Sequence, residues 1–297
     1  MKRDPSPRSI LGSAGMIILV ILFLVTASSG FDAAQAKSYY HPLIEQTYRF
    51  NPDGSAEVEE IRSFHFDGSF SWAFLLRETR GDYGSYRVEF EGVWDADTNE
   101  ELRSEVSSSG RGETIRWYYR AQNTTKRFLI RYHIDGAVQR YRDAAQFYWK
   151  AIEDEHAPVS RVEVTVIPPG PSPELFKVFV HSEARPGEIE FSPDFRQALV
   201  RQDGIPKDAF VELRVLLDPD LFPDALIDPG QSYESLLEDE RAIANATRRE
   251  ATRNIIAMVA AVFVVLLFIA AFVWVYFKYG REPRVDYGKI YEREPPR

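Results

Sequence analysis

The sequence predicts an all-β fold: an antiparallel β-sandwich with a short helical insert, followed by a stalk helix running into one transmembrane α-helix. Three observations predict it. Between about residues 38 and 219, apolar and polar residues alternate with period two in short runs. Half-buried strands require this, because successive side chains point to opposite faces of a sheet. Asp-Gly pairs punctuate the runs at Asp53-Gly54, Asp67-Gly68, Asp135-Gly136 and Asp203-Gly204, and Asp-Gly readily supplies the positive φ of tight turns. Toward the C-terminal end, Ile255 to Phe277 is a run of 23 residues without a charge.

Taken in order, the chain opens with Lys2, Arg3 and Arg8, a positive segment diluted only by Asp4. An apolar run follows from Ile10 to Thr26, and Ala34-Gln35-Ala36 supplies an A-x-A cleavage pattern. This is the layout of a secretory signal peptide over residues 1–36. An uncleaved signal anchor is the alternative, because the A-x-A lies several residues beyond the apolar run. Both readings place residue 37 onward outside the cytoplasm.

Residues 37–230 form the predicted extracytoplasmic domain. Phe128, Ile130, Tyr132 and Ile134 fall on one face of a strand, opposite Arg127, Arg131, His133 and Asp135. Val162, Val164 and Val166 alternate with Arg161, Glu163 and Thr165, and Val211, Leu213, Val215 and Leu217 with Phe210, Glu212, Arg214 and Leu216. Further strands are predicted over about 43–50, 55–66, 85–93, 102–107, 113–120, 176–182 and 188–191. Arg142 to Ala151 lacks alternation and carries helix formers after Asp143, a candidate N-cap, so a short helical insert is expected there. Pro168-Pro169-Gly170-Pro171-Ser172-Pro173 is read as one loop of a single sandwich, with a sub-domain boundary as the alternative.

Residues 231–254 are helix-compatible and read as a juxtamembrane stalk, with Glu238–Arg241 and Glu250–Arg253 at i, i+3 spacing. Residues 255–277, as a helix, extend roughly 35 Å, enough for a ~30 Å hydrocarbon core. Trp274 and Tyr276 stand where interfacial aromatics belong, and Lys278, Arg281, Arg284, Lys289, Arg293 and Arg297 follow. The expected location is therefore the cell membrane, single-pass after signal cleavage, with an outside domain and a cytoplasmic tail over 278–297.

Composition removes several chemistries. The chain has no cysteine, which excludes disulfide frameworks, thiolate metal sites and a cysteine nucleophile. With 45 acidic against 36 basic residues and a net charge of −9, it does not read as a nucleic-acid binder. The five histidines, His41, His65, His133, His156 and His181, are scattered without metal-ligand spacing, although His65 and His133 lie on predicted strands that could bring them together. No nucleophile elbow, phosphate loop or dinucleotide fingerprint occurs. No cofactor is implied.

A family resemblance rests on motif order. Asn51-Pro52-Asp53-Gly54-Ser55-Ala56-Glu57-Val58-Glu59-Glu60 is followed by Phe64-His65-Phe66-Asp67-Gly68-Ser69-Phe70 and Leu75-Leu76-Arg77. Then come Phe128 to Val138, Phe147-Tyr148-Trp149, Ile167-Pro168 and, after the apolar helix, Tyr279-Gly280-Arg281-Glu282-Pro283. This order is similar to the YciQ-like predicted membrane protein family of prokaryotes, domain of unknown function 2207. The resemblance covers about residues 38–297 and implies a signal peptide, an extracytoplasmic β domain and a membrane helix followed by Gly-Arg-x-Pro. It implies no chemistry. Family members usually continue into further membrane helices, so the expectation is a fragment or a shortened member.

Two residue groups are candidate sites. Asp95, Asp97 and Asn99 cluster hard oxygens of the kind calcium prefers, but Glu100 and Val106 stand where an EF-hand needs glycine and glutamate; a solvated acidic turn is the default. Trp117, Tyr119, Tyr148 and Trp149 are ligand-platform candidates, weighed against ordinary core packing because consecutive strand residues point both ways. The favoured function is a membrane-anchored binding module for an envelope protein or polysaccharide. The alternatives are an envelope hydrolase with a carboxylate site outside known motifs, resting on the acidic surplus, and a component of a larger transport or assembly complex. The bilayer itself is an expected partner.

Overall fold

The computed structural model of the chain describes residues 37–81 and 84–279. The expected signal segment over 1–36 and the tail from Gly280 onward lie outside the described residues. The chain divides into two units, one up to Ser232 and one from Tyr233.

The first unit is built of strands β1 (Ser38–Tyr40), β2 (Ile44–Phe50), β3 (Ala56–Asp67), β4 (Ser69–Glu78), β5 (Arg80–Gly81), β6 (Gly84–Ser85), β7 (Arg87–Asp95), β8 (Glu100–Leu102) and β9 (Ser104–Ser108). These are followed by β10 (Gly112–Gln122), β11 (Thr125–Asp135), β12 (Val138–Arg140), β13 (Ala145–Ile152), β14 (Val159–Ile167), β15 (Lys177–Ser182), β16 (Glu188–Phe191), β17 (Ala198–Ile205) and β18 (Val211–Leu217). A nine-stranded sheet runs β16-β17-β14-β2-β3-β11-β7-β8, with β1 added onto β3. All its pairs are antiparallel except β14 with β2. Two smaller sheets, β4-β10-β9 and β12-β13-β18-β15, and the hairpin β5-β6 complete the unit.

Both smaller sheets cover one face of the large one. Alternation along β3 turns Ala56, Val58, Glu60, Arg62, Phe64 and Phe66 inward, and all six are buried. At one end Trp117 of β10 packs edge-on against Phe128, ring centroids 5.6 Å apart, and against Phe64 at 6.3 Å. At the other end Phe147 of β13 meets Tyr48 at 5.2 Å and Phe50 at 4.8 Å. Separations of this size are those at which aromatic pairs add to simple area burial. Between these two aromatic contacts lies a seam, and there the inward residues of β3 are Glu60 and Arg62.

All four Asp-Gly glycines adopt positive φ, at 83° for Gly54, 100° for Gly68, 68° for Gly136 and 66° for Gly204. Gly204 does so within the end of β17 and not after it. A different constraint acts at Gly112, where an added Cβ would lie 2.1 Å from the carbonyl oxygen of Arg77. Only glycine lets β10 approach β4 there.

The structure corrects the expected helical insert. Residues 145–152 are strand β13, paired with β18 on one side and β12 on the other. Nearly all of its side chains are buried, on both faces, so it shows no alternation, and strands of this kind resemble helix segments by pattern. Strands β4 and β17 are also additional to the predicted set. β4 escaped for a related reason: Ser69 to Leu76 carries no charge to mark an outer face.

The second unit is α1 (Tyr233–Tyr279), one continuous helix of 47 residues. Its stretch Ile255–Tyr279 is long and apolar enough to cross a membrane, and none of it is buried inside the protein. In the preceding turns Arg241 pairs with Glu234 at 3.0 Å.

Candidate functional site

At the seam four charged side chains close a ring. Arg62 donates through Nε to Glu60, and Arg77 of β4 donates to the other Glu60 oxygen. Both arginines then reach Glu153, just beyond β13, Arg62 through Nη2 at 3.2 Å and Arg77 through Nη1. Each carboxylate thus lies between two guanidiniums, and the ring is neutral. Glu60, Arg62 and Arg77 are almost wholly inaccessible to solvent, while the Glu153 side chain keeps 12% exposure. Tyr132 adds a hydrogen bond to Glu60 at 3.2 Å, and the Arg77 guanidinium lies 5.3 Å from the Tyr132 ring centroid. A buried charge survives only when paired and hydrogen-bonded on every side.

The backbone contributes as well. A register shift between Lys150 and Ile152 interrupts the β13–β18 ladder, as bulges do when they re-aim local groups. The freed carbonyl of Ala151 accepts from Gln46 Nε2 at 2.8 Å and from Arg77 Nη1 at 3.2 Å. Burial alone would raise the Glu60 carboxyl, but Arg62 and Arg77 override it and hold its pKa down at about 2. Arg62 is likewise held above the usual arginine range: burial works against its charge, and Glu60 and Glu153 outweigh it.

Above the ring opens a cleft of about 280 Å³. Its aromatic residues are Tyr39 of β1, Phe64 and Phe66 of β3, Phe70, Trp72 and Phe74 of β4 and Tyr119 of β10, with Arg62 and Glu153 at the base. Tyr39 stands 5.8 Å from Phe70, and Phe66 lies 4.8 Å from Phe70 and 5.4 Å from Tyr119. Burial raises the Tyr39 and Tyr119 phenols above their ordinary values, which keeps both neutral. His41 also borders the cleft. Its Nδ1 lies 3.0 Å from the Ser63 carbonyl oxygen, and since a carbonyl only accepts, Nδ1 carries the proton. Burial, reinforced by Arg62, lowers the His41 pKa to about 3, so the ring is neutral at physiological pH.

Of the platform candidates, Tyr119 lines this cleft. Trp117 is fully buried in the core. Tyr148 and Trp149 border a second cavity of about 160 Å³ with Tyr86 and Glu212, where Tyr148 Oη donates to Glu212 at 2.9 Å. Asp95, Asp97 and Asn99 occupy the β7–β8 turn. Asp95 Oδ1 accepts the amides of Asp97 and Thr98 at 3.1 and 3.2 Å, while Oδ2 faces Lys126 Nζ at 2.9 Å. Asp97 meets Arg127 at 3.3 Å, and Asn99 takes a left-handed φ of 57°. Among the described residues no three His, Asp or Glu side chains group as a metal site would require. His65 and His133 lie at opposite ends of the β3–β11 ladder, where His65 pairs with Thr125 and His133 with Glu57.

Fold and cleft together define a β-sandwich with a recessed aromatic site, joined in sequence to a helix suited to a bilayer. The family model for the predicted membrane protein (DUF2207) N-terminal domain matches residues 44–217, and the chain belongs to that family. A search of curated proteins returns no match. Among solved structures the chain is similar to an M1 zinc metallopeptidase from Deinococcus radiodurans, at 8% identity and TM-score 0.36, over 59% of this chain and 42% of that one. It is also similar to leukotriene A4 hydrolase from Saccharomyces cerevisiae, at 9% identity and TM-score 0.42, over 64% of this chain and 31% of that one. The chain spans less than half the length of either.

The two depressed pKa values have a testable consequence. In the unfolded chain His41 and Glu60 titrate near 6.5 and 4.5, but near 3 and 2 when folded. The unfolded state therefore takes up protons first, and stability falls as pH drops. Thermal unfolding of the full chain in detergent should show the melting temperature declining below about pH 6.5 and falling further below about 4.5. His41→Gln should flatten the upper limb only. A His41→Gln profile that keeps the wild-type slope between those two pH values would show that His41 is not held neutral by the fold.

Proposed function

We propose that the chain is an extracytoplasmic binding module tethered by one membrane helix, with the aromatic cleft as its ligand site. The observation that carries this reading is the cleft itself: seven aromatic residues from four strands line a recess of about 280 Å³. Ligand sites are commonly concave and apolar, with a few fixed polar groups, and here Arg62, Glu153 and His41 supply those. The uncharged span and the membrane-protein family support the tether. The outward orientation rests on the signal-like N-terminal pattern and on the basic residues after the span.

A hydrolytic carboxylate pair gains no such support. General acids need raised pKa values, and among the described residues the displaced carboxylates are all shifted downward. At Glu60 and at Asp95, burial pushes upward, and neighbouring cations and hydrogen bonds outweigh it.

Two experiments test the reading. The aromatic anion 1-anilinonaphthalene-8-sulfonate, an amphiphilic dye, should bind the full chain saturably with blue-shifted emission, and Phe70→Glu should lose that binding while the far-ultraviolet spectrum stays unchanged. Undiminished binding by Phe70→Glu would exclude the cleft as the site. For the tether, Val264→Arg together with Leu267→Arg should release the domain, since each charge near the span centre costs ~2.5–3.5 kcal/mol on insertion scales. A tag placed after Arg297 should resist protease in intact spheroplasts, and its digestion from outside would invert the topology.

A further inference from the structure

The geometry points to the occupant of the cleft: an extended polypeptide segment that adds to the free edge of β4 as a new strand. The inference rests on the cleft being a binding site and goes on to name the chemistry of its ligand. β4 ends its sheet, with β10 on one side and no strand on the other. Its residues Ser69 to Leu76 line the cleft one after another, so the cleft follows the strand's edge.

The hydrogen-bond phase shows which groups face the opening. Thr79 N donates to Arg111 O across the β4–β10 pair at 3.3 Å. By antiparallel alternation Arg77, Leu75 and Ala73 bond to β10, and Trp72, Phe74 and Leu76 turn their N–H and C=O groups the other way. The far side of β10 agrees, for Tyr118 N donates to Arg103 O of the β9 side at 3.0 Å. Among the described residues one of these edge groups is met, the Trp72 carbonyl, which accepts from Tyr119 Oη at 3.2 Å. The remaining donors and acceptors recur every second residue, about 6.6–6.8 Å apart. That repeat belongs to an extended main chain and not to a lipid or a sugar.

The edge is also left unguarded. Proteins protect terminal strands with charges, proline or brevity. Here β16 carries Glu188 and Glu190, β8 carries Glu100 and Glu101, β9 carries Glu105, β12 is three residues long, and β15 begins at Lys177. β4 is ten residues long and has neither charge nor proline from Ser69 to Leu76. Its outward side chains Trp72 and Phe74 are 47% and 48% exposed, and Phe70 and Tyr119 line the cleft, so an added strand would find rings for alternate side chains on both faces. Strand addition works in this way: main-chain bonds give affinity and flanking pockets give specificity. Charge narrows the partner further. Lys37, at the Phe70 end of the cleft, holds its ammonium 6.0 Å from that ring and has no carboxylate partner among the described residues. The segment is therefore apolar with an acidic group at that end.

The test selects a displayed library of random heptapeptides on the full chain in lipid nanodiscs. Enriched peptides should be apolar with an acidic end, and Lys37→Gln should weaken them several-fold. N-methylation of alternate peptide amides, which leaves the protein untouched, should weaken binding at least tenfold. Phe74→Pro should do the same: it deletes an edge-facing N–H that the β4–β10 ladder does not use, and proline is tolerated at such positions. Phe74→Ala, which keeps the N–H, should lose less. Peptides indifferent to both N-methylation and Phe74→Pro would overturn strand addition while leaving the cleft as a site, as would dye binding without any peptide enrichment. Self-association of the chain abolished by Phe74→Pro would assign the edge to a second copy and overturn the proposal. Loss of dye binding as well would sink the cleft reading itself.

Discussion

The fold depends on neutralising Glu60 inside the sandwich. Its position on β3 is fixed by alternation: with Val58 and Phe64 facing in, residues 60 and 62 must face in too. A carboxylate buried there would be intolerable alone, since desolvation costs several kcal/mol per ion even after relaxation. Arg62 is its neighbour on the same face, Arg77 comes from β4, and Glu153 comes from the end of β13. The four residues thus join the large sheet to both smaller ones at the place where no ladder connects them.

A seam filled with apolar side chains would also have been stable, and replacing buried ion rings by packed hydrophobes often is. The charged version specifies geometry in a way that hydrophobes do not. Arg77 can satisfy Glu60, Glu153 and the carbonyls of Lys150 and Ala151 at 3.3 and 3.2 Å only from one position of β4. Gly112 permits that position by letting β10 come close. Held there, β4 keeps its outer edge open along the cleft, and Tyr39, Phe64 and Phe66 form the facing wall. The same arginine therefore closes the core and sets the site above it.

Much of this architecture was legible from residue pattern, and the exceptions have physical causes. Strands half in water announced themselves: β11 and β14 carry clean alternation, β18 was marked by Glu212 and Arg214 although both its faces are largely buried, and the Asp-Gly pairs supplied the positive-φ glycines. Two of the strands that escaped, β4 and β13, lack a charged outer face, whereas β17 escaped although Arg201 and Asp203 mark one. β13 is buried on both sides, and the bare apolar face of β4 is the feature that makes it a docking edge. The span was legible because length and lack of charge suffice there. Tyr119 was visible as an aromatic on a strand, but its cleft partners Tyr39 and Phe70 come from strands remote from it in sequence. The ring was invisible for the same reason. Glu60 and Glu153 are joined through arginines 91 and 76 residues from Glu153, and nothing local distinguishes these four from the surface charges around them.

Whether that ring holds the sandwich together is open to direct measurement. The most direct measurement is denaturant unfolding of the full chain carrying Arg77→Met, beside the double variant that also replaces Glu60 by Met. Removing one partner strands a buried carboxylate, so the single change should cost about 3–5 kcal/mol, and the double change should recover a large part of it. A loss below about 1 kcal/mol for Arg77→Met, the level of an exposed ion pair, would contradict the account.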